Sequence, residues 1–168
     1  MASDRRRRRA RGAKPPAGIA SGPTLLHATV PSSVRFVNRG RFIVDGKTFP
    51  GAPRLLVVRD MIQGNYDLLF CNDRWQILAG TSDSTLEGIK AEAERFYPGL
   101  TPYWVDLGID EAKAQAYLER LRRRIGCSFC KRLPGQFASG NVFEVGRVRI
   151  CGDCVTSFWK DLNETGKR

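Results

Sequence analysis

The sequence predicts an α+β protein: a small sheet with one or two helices, preceded by a disordered basic arm and followed by a C-terminal treble-clef-like ββα finger. Three observations carry that prediction. Apolar runs of strand length alternate with turn dipeptides between Val34 and Asp106. A capped amphipathic pattern begins near Ser84, and four cysteines fall into two Cys-x2-Cys pairs near the C-terminus.

Residues 1–32 are expected to form the arm. Met1 to Lys14 holds six Arg and one Lys against one Asp, more than half of the formal net charge of +11. Pro15, Pro16, Gly18, Gly22, Pro23 and Pro31 follow, with little apolar material to offset the entropy of ordering them. Arg5, Arg6, Arg7, Arg8, Arg9 and Arg11 are the candidates for phosphate contacts with nucleic acid. The alternative for the same block is a solvated tail with no specific target. Because the arginines are contiguous and no apolar segment follows them, neither a mitochondrial leader nor a signal peptide is expected. Nothing approaches the roughly eighteen consecutive apolar residues that a membrane span needs. A cytoplasmic protein with no membrane partner is the expectation, and reduced thiols there favour metal binding over disulfides.

The second region, residues 33–109, reads as the small α+β domain. Asp45-Gly46 joins Arg41–Val44 to Lys47–Phe49 as a hairpin turn. Leu55–Val58 and Tyr66–Cys71 are strands, and "NDRW" turns the chain into a further strand at Trp75–Ala79. Ser84 and Glu87 make a capping-box pattern for a helix whose Leu86, Ile89, Ala93, Phe96 and Tyr97 share one face, ended by Pro98-Gly99. "TPYWVDL" then predicts a closing strand that sets Tyr103 or Trp104 against that helix. "GRFIVDGKT" ends like a phosphate loop but has the wrong glycine spacing, so hairpin residues explain it. Residues 110–125 predict a connecting helix, with Ala114, Tyr117, Leu118, Leu121 and Ile125 on one stripe. Arg120, Arg122, Arg123 and Arg124 at its end either complement the helix dipole or form a basic patch.

Residues 126–168 carry the strongest signal. Cys127, Cys130, Cys151 and Cys154 stand as Cys-x2-Cys, twenty intervening residues, Cys-x2-Cys, the spacing of one structural Zn2+ held by four thiolates. Such a centre would bring the net charge nearer +9. Between the pairs, Val142, Phe143, Val145, Val148 and Ile150 predict a small hairpin, and Val155, Phe158, Trp159 and Leu162 predict a helix entered from the second pair. About forty residues bury too little to fold unaided, so the metal supplies the missing free energy.

"CSFCKR" with "VRICGDCV" resembles the zinc-binding domain of the ClpX unfoldase: Cys127, Ser128, Phe129, Cys130, Val148, Ile150, Cys151, Cys154 and Val155 match in place. The resemblance covers the C-terminal quarter only, without the AAA+ ATPase. Lys131 stands where that family usually has glycine. What the resemblance implies is a finger that homodimerises and recognises adaptors of Clp proteolysis or unfolded clients. Phe129, Phe158 and Trp159 are the candidates for that protein-binding surface; the alternative is that they form the finger's own core.

An enzyme is not expected. His27 is the single histidine and falls in the predicted arm, Cys71 sits in an apolar strand, and a closed shell of four thiolates leaves a metal no open position for water. Two readings result: a zinc-stapled protein-interaction module, or a basic nucleic-acid-binding regulator whose zinc is structural.

Overall fold

A computed structural model describes residues 14–37, 42–44 and 46–165, the side chain of Thr165 excepted. The six arginines of the N-terminal block therefore lie outside the described residues, as does Asp45 of the expected hairpin turn. The fold is α+β, and the chain divides into two compact units, Met1–Asp110 and Glu111–Arg168.

The first unit is a curled antiparallel sheet. Its strands are β1 (Gly18–Ile19), β2 (Gly22–Thr29), β5 (Arg54–Arg59), β6 (Tyr66–Cys71), β7 (Ile77–Asp83) and β8 (Val105–Asp106). The order is β1-β2-β5-β6-β7, with β8 pairing β2 through Leu26 and His27. A separate short hairpin joins β3 (Ile43–Val44) to β4 (Lys47–Thr48). One face of the sheet carries Leu26, Ala28, Leu55, Val57, Leu68 and Phe70. Helix α1 (Leu86–Phe96) packs there through Ile89, Ala93 and Phe96. Phe36, Phe42 and Phe49 close an aromatic cluster around Phe70, with ring centroids 4.9 to 6.4 Å apart. Tyr97 is anchored within this core because its hydroxyl donates to the Ala52 carbonyl at 3.0 Å and accepts from the Ala52 amide. Burial pushes its phenol up to about 12.

Several expectations are corrected. The arm does not extend to residue 32: Gly22–Thr29 is a core strand, buried at Thr24, Leu26 and Ala28. Gly22, read from sequence as a breaker, is required by close approach, since a Cβ there would lie 1.7 Å from the Arg59 carbonyl oxygen. His27 accordingly sits in the sheet opposite Leu56, edge-on to Trp75 at 5.7 Å, and desolvation lowers its pKa. Trp75 does not begin a strand. Asn72 Oδ1 accepts from the amides of Arg74 and Gln76, which holds Trp75 at φ 63° and folds its ring over the second sheet face, beneath the Arg54 guanidinium. The helix cap is Thr85 rather than Ser84: its Oγ1 accepts from the Gly88 amide at 2.9 Å, while Asp83 accepts from the Thr85 amide. The segment after α1 begins as a 3-10 turn at Thr101–Tyr103; Trp104, not the exposed Tyr103, packs on the core.

The second unit contains α2 (Glu111–Ile125), the hairpin β9 (Val142–Val145) with β10 (Val148–Cys151), and α3 (Gly152–Thr165). Ala114, Leu118 and Leu121 form the buried stripe of α2. No helix among the described residues is long and apolar enough to cross a membrane.

Candidate metal centre

Cys127 and Cys130 lie in the turn that follows α2, Cys151 ends β10, and Cys154 lies in the first turn of α3. The turn closes on itself: the Lys131 amide donates to the Cys127 carbonyl at 3.0 Å, and the Cys127 amide donates to the Arg132 carbonyl at 2.9 Å. Closing it puts Lys131 in the left-handed region at φ 61°, a conformation glycine adopts without strain. Ser128 ties the turn to the hairpin, since its amide donates to the Arg149 carbonyl at 2.7 Å and its hydroxyl accepts from the Arg149 amide at 3.0 Å.

These supports bring all four sulfurs within 4.8 Å of one another. Cys127 Sγ lies 3.8 Å from Cys154 Sγ, and Cys130 Sγ lies 3.7 Å from Cys151 Sγ. A tetrahedral tetrathiolate site with metal–sulfur bonds of about 2.3 Å has sulfur–sulfur edges of about 3.8 Å. These two edges match, and the cluster could hold a metal ion.

The electrostatics are prepared for thiolates. Desolvation works against ionisation of Cys127, but amide groups of Cys151, Cys130 and Phe129 outweigh it and bring the thiol down to about 6. Desolvation likewise opposes ionisation of Cys130, yet the Arg132 guanidinium, whose Nε donates to Cys130 Sγ at 3.4 Å, lowers its pKa. Cys154 moves the other way, to about 12, through desolvation and the neighbouring sulfurs. That repulsion among crowded sulfurs is what a divalent cation relieves.

The sequence singled out the four cysteines that the fold brings together, but not the contacts that orient them. Arg132 also donates to the Gln136 carbonyl at 3.3 Å and pairs with Asp153 at 3.0 Å. Asp153 in turn accepts from the amides of Ala138 and Ser139 at 3.1 and 3.0 Å. This clasp joins the two cysteine pairs across the loop between them. Gly152 serves by smallness, because a Cβ would meet Ser139 Oγ at 2.5 Å. Of Lys131, Arg132 and Arg149, which flank the cysteine pairs, Arg132 is the one that donates to sulfur. Lys131 donates to the Ser128 carbonyl, and Arg149 pairs with Glu144 and donates to the Arg124 carbonyl.

The three candidate partner-binding residues are all at the surface: Phe129 is 52% exposed, Phe158 43% and Trp159 67%. Phe129 and Phe158 meet edge-to-face at 5.1 Å. Trp159 is thus not part of a finger core. Cys71, by contrast, is a buried neutral thiol, pushed up to about 11 by desolvation.

The chain matches no protein-family model, no curated protein and no solved structure.

Proposed function

We propose that the second unit is a zinc-stapled protein-interaction module of treble-clef-like ββα plan, and that the chain is not an enzyme. The observation that carries the reading is the combination of four sulfurs within 4.8 Å of one another and an apolar stripe left at the surface of the same unit. Zn2+ suits an all-thiolate donor set, and Cys127, Cys130, Cys151 and Cys154 would hold it as a structural ion. Bound there, the ion supplies folding free energy and neutralises sulfur charge.

The stripe consists of Val155, Phe158, Trp159 and Leu162 on α3, at helical i, i+3, i+4 and i+7 spacing, beside Phe129. All are exposed, a pattern that marks an interaction surface when contiguous. The resemblance of "CSFCKR" and "VRICGDCV" to the ClpX zinc-binding domain supports self-association and the capture of an adaptor or unfolded client. The left-handed backbone of Lys131 agrees with that resemblance, since the family's usual glycine suits that conformation.

Light scattering of the full chain tests the reading. Zinc-loaded protein is expected to run as a dimer, while chelated protein or a Trp159→Ser/Leu162→Ser variant runs as a monomer. A monomer at high concentration with zinc bound refutes self-association. A dimer unchanged by chelation and by both substitutions removes the stripe as its cause.

A further inference from the structure

Beyond the metal centre, the second unit carries a cavity of about 410 Å³ where the last turn of α2 meets the first cysteine turn. It is lined by Arg122, Arg123 and Lys131 against Glu119, and it shares Cys127 with the four-sulfur cluster. Arg122 is paired with that glutamate at 2.7 Å. Arg123 is exposed and has no protein partner among the described residues. The Lys131 ammonium uses one donor on the Ser128 carbonyl at 2.7 Å and keeps two more. Ser128 lines the cavity too; its hydroxyl accepts from the Arg149 amide and retains its own proton for another acceptor. Two cations and a hydroxyl with donors to spare suit a ligand with several anionic oxygens, which is a phosphate.

The distribution of charge says what sort of phosphate. Residues 15–110 hold nine Lys and Arg against ten Asp and Glu, whereas residues 111–168 hold twelve against six. Outside residues 1–14, the basicity of this chain belongs to the second unit. Even after four thiolates and a divalent ion subtract two charges, that unit stays cationic. On α2, Arg120, Arg123 and Arg124 share one face at i, i+3 and i+4, so the positive surface continues along the helix from the cavity. A single small anion does not require such a track; a polymer of phosphates does. The helix dipole accounts for cations near the C-terminus of α2, but the Arg124 carbonyl is already taken by Arg149. Arg123 makes no bond to that carbonyl.

We propose that this cavity is a phosphate subsite through which the second unit docks on the phosphodiester backbone of nucleic acid, with Arg123 and Lys131 making the direct contacts. The apolar stripe of α3 takes no part, so the proposal stands or falls separately from protein association.

The experiment uses the full zinc-loaded chain and a labelled mixed-sequence DNA duplex, titrated by fluorescence anisotropy across a salt series. Arg123→Gln and Lys131→Asn, the latter chosen because asparagine tolerates a left-handed backbone, are each compared with Lys160→Gln. Lys160 is an exposed α3 cation outside the cavity, and zinc content is measured for every variant. Each cavity variant is expected to lower the slope of log K against log salt by about 0.9 and to weaken binding roughly eightfold at about 0.1 M salt. Lys160→Gln and Trp159→Ser leave the slope in place. The proposal is overturned if the native chain binds no duplex at low salt, or if Arg123→Gln changes the slope no more than Lys160→Gln. It is equally overturned if a phosphoserine peptide binds the cavity more tightly than the duplex does.

Discussion

The two units of this chain solve the same problem by different means. The first buries Leu55, Val57, Leu68, Phe70, Ile89 and Leu100 completely, with a cap, a bulge and a helix arranged around that core. The second buries fewer large apolar side chains: Leu118, Leu121 and Leu133, with Cys127, Phe137 and Cys151 around the four-sulfur cluster, while Phe143, Val145, Val148, Trp159 and Leu162 remain exposed. Area supplies the stability of the first; in the second, a metal held by the four sulfurs would supply what area does not. Apolar side chains not needed for packing can stay at the surface, as Trp159 and Leu162 do.

Removing the metal gives the largest expected effect. Chelation, or Cys151→Ser, should unfold the second unit, because apparent zinc-binding energies of about 10 kcal/mol or more are folding energy in modules of this kind. Amide signals of the first unit should persist in a heteronuclear NMR spectrum. Loss of both sets together, or of neither, would break the comparison. Acid should act in the same direction. Cys127 is held at about 6 in the folded protein, below an ordinary thiol, so its stabilising contribution is complete above the ordinary thiol range and is lost as pH falls through about 6. Zinc release followed with a chromophoric chelator should rise as pH falls, because protons compete with the metal for the thiolates, and higher pH should tighten retention.

A core truncation reverses the pattern. Phe70→Ala removes a fully buried ring at the centre of the aromatic cluster, at a cost of about 3–5 kcal/mol. Thermal unfolding of the first unit should drop accordingly while zinc stoichiometry stays at one. A variant that lost zinc as well would show the units to be one cooperative body.

How far each unit could be read beforehand follows from the same contrast. The four-cysteine cluster is legible because metal-site chemistry fixes both residue type and spacing, so Cys127, Cys130, Cys151 and Cys154 needed no tertiary information to be grouped. Strand β6 and the face of α1 were legible because their apolar period matches their burial. Strand β2 was not. Its bulge between Thr24 and Leu26 interrupts the alternation, and Gly22 and Pro23 resemble breakers until Arg59 is seen passing over them. The one-residue shift of the α1 cap depended on the side chain of Asp83, and the clasp from Arg132 to Asp153 spans twenty-one positions. Such contacts leave no periodic trace.

That clasp sets the third test. Arg132→Gln leaves all four ligands in place but deprives Cys130 of its cationic donor and Asp153 of its partner. Metal affinity should fall about 10- to 100-fold, as removal of an outer hydrogen bond to a ligand does, with the first unit unaffected. Competition against a chelator of known affinity measures it, and unchanged affinity would reduce the clasp to surface decoration.

The smallest effect is the most discriminating. Lys131 holds φ 61°, so Lys131→Gly relieves about 1 kcal/mol of left-handed strain and gives back a similar amount through unfolded-state entropy and the lost bond to the Ser128 carbonyl. Folding stability and zinc retention should therefore change by less than about 1 kcal/mol in either direction. If the cavity is a phosphate subsite, the same substitution should still weaken duplex binding by one contact. A stability-neutral change that costs binding would explain why a lysine occupies a position whose backbone suits glycine; a clear loss of zinc would instead assign Lys131 to the metal-held fold alone.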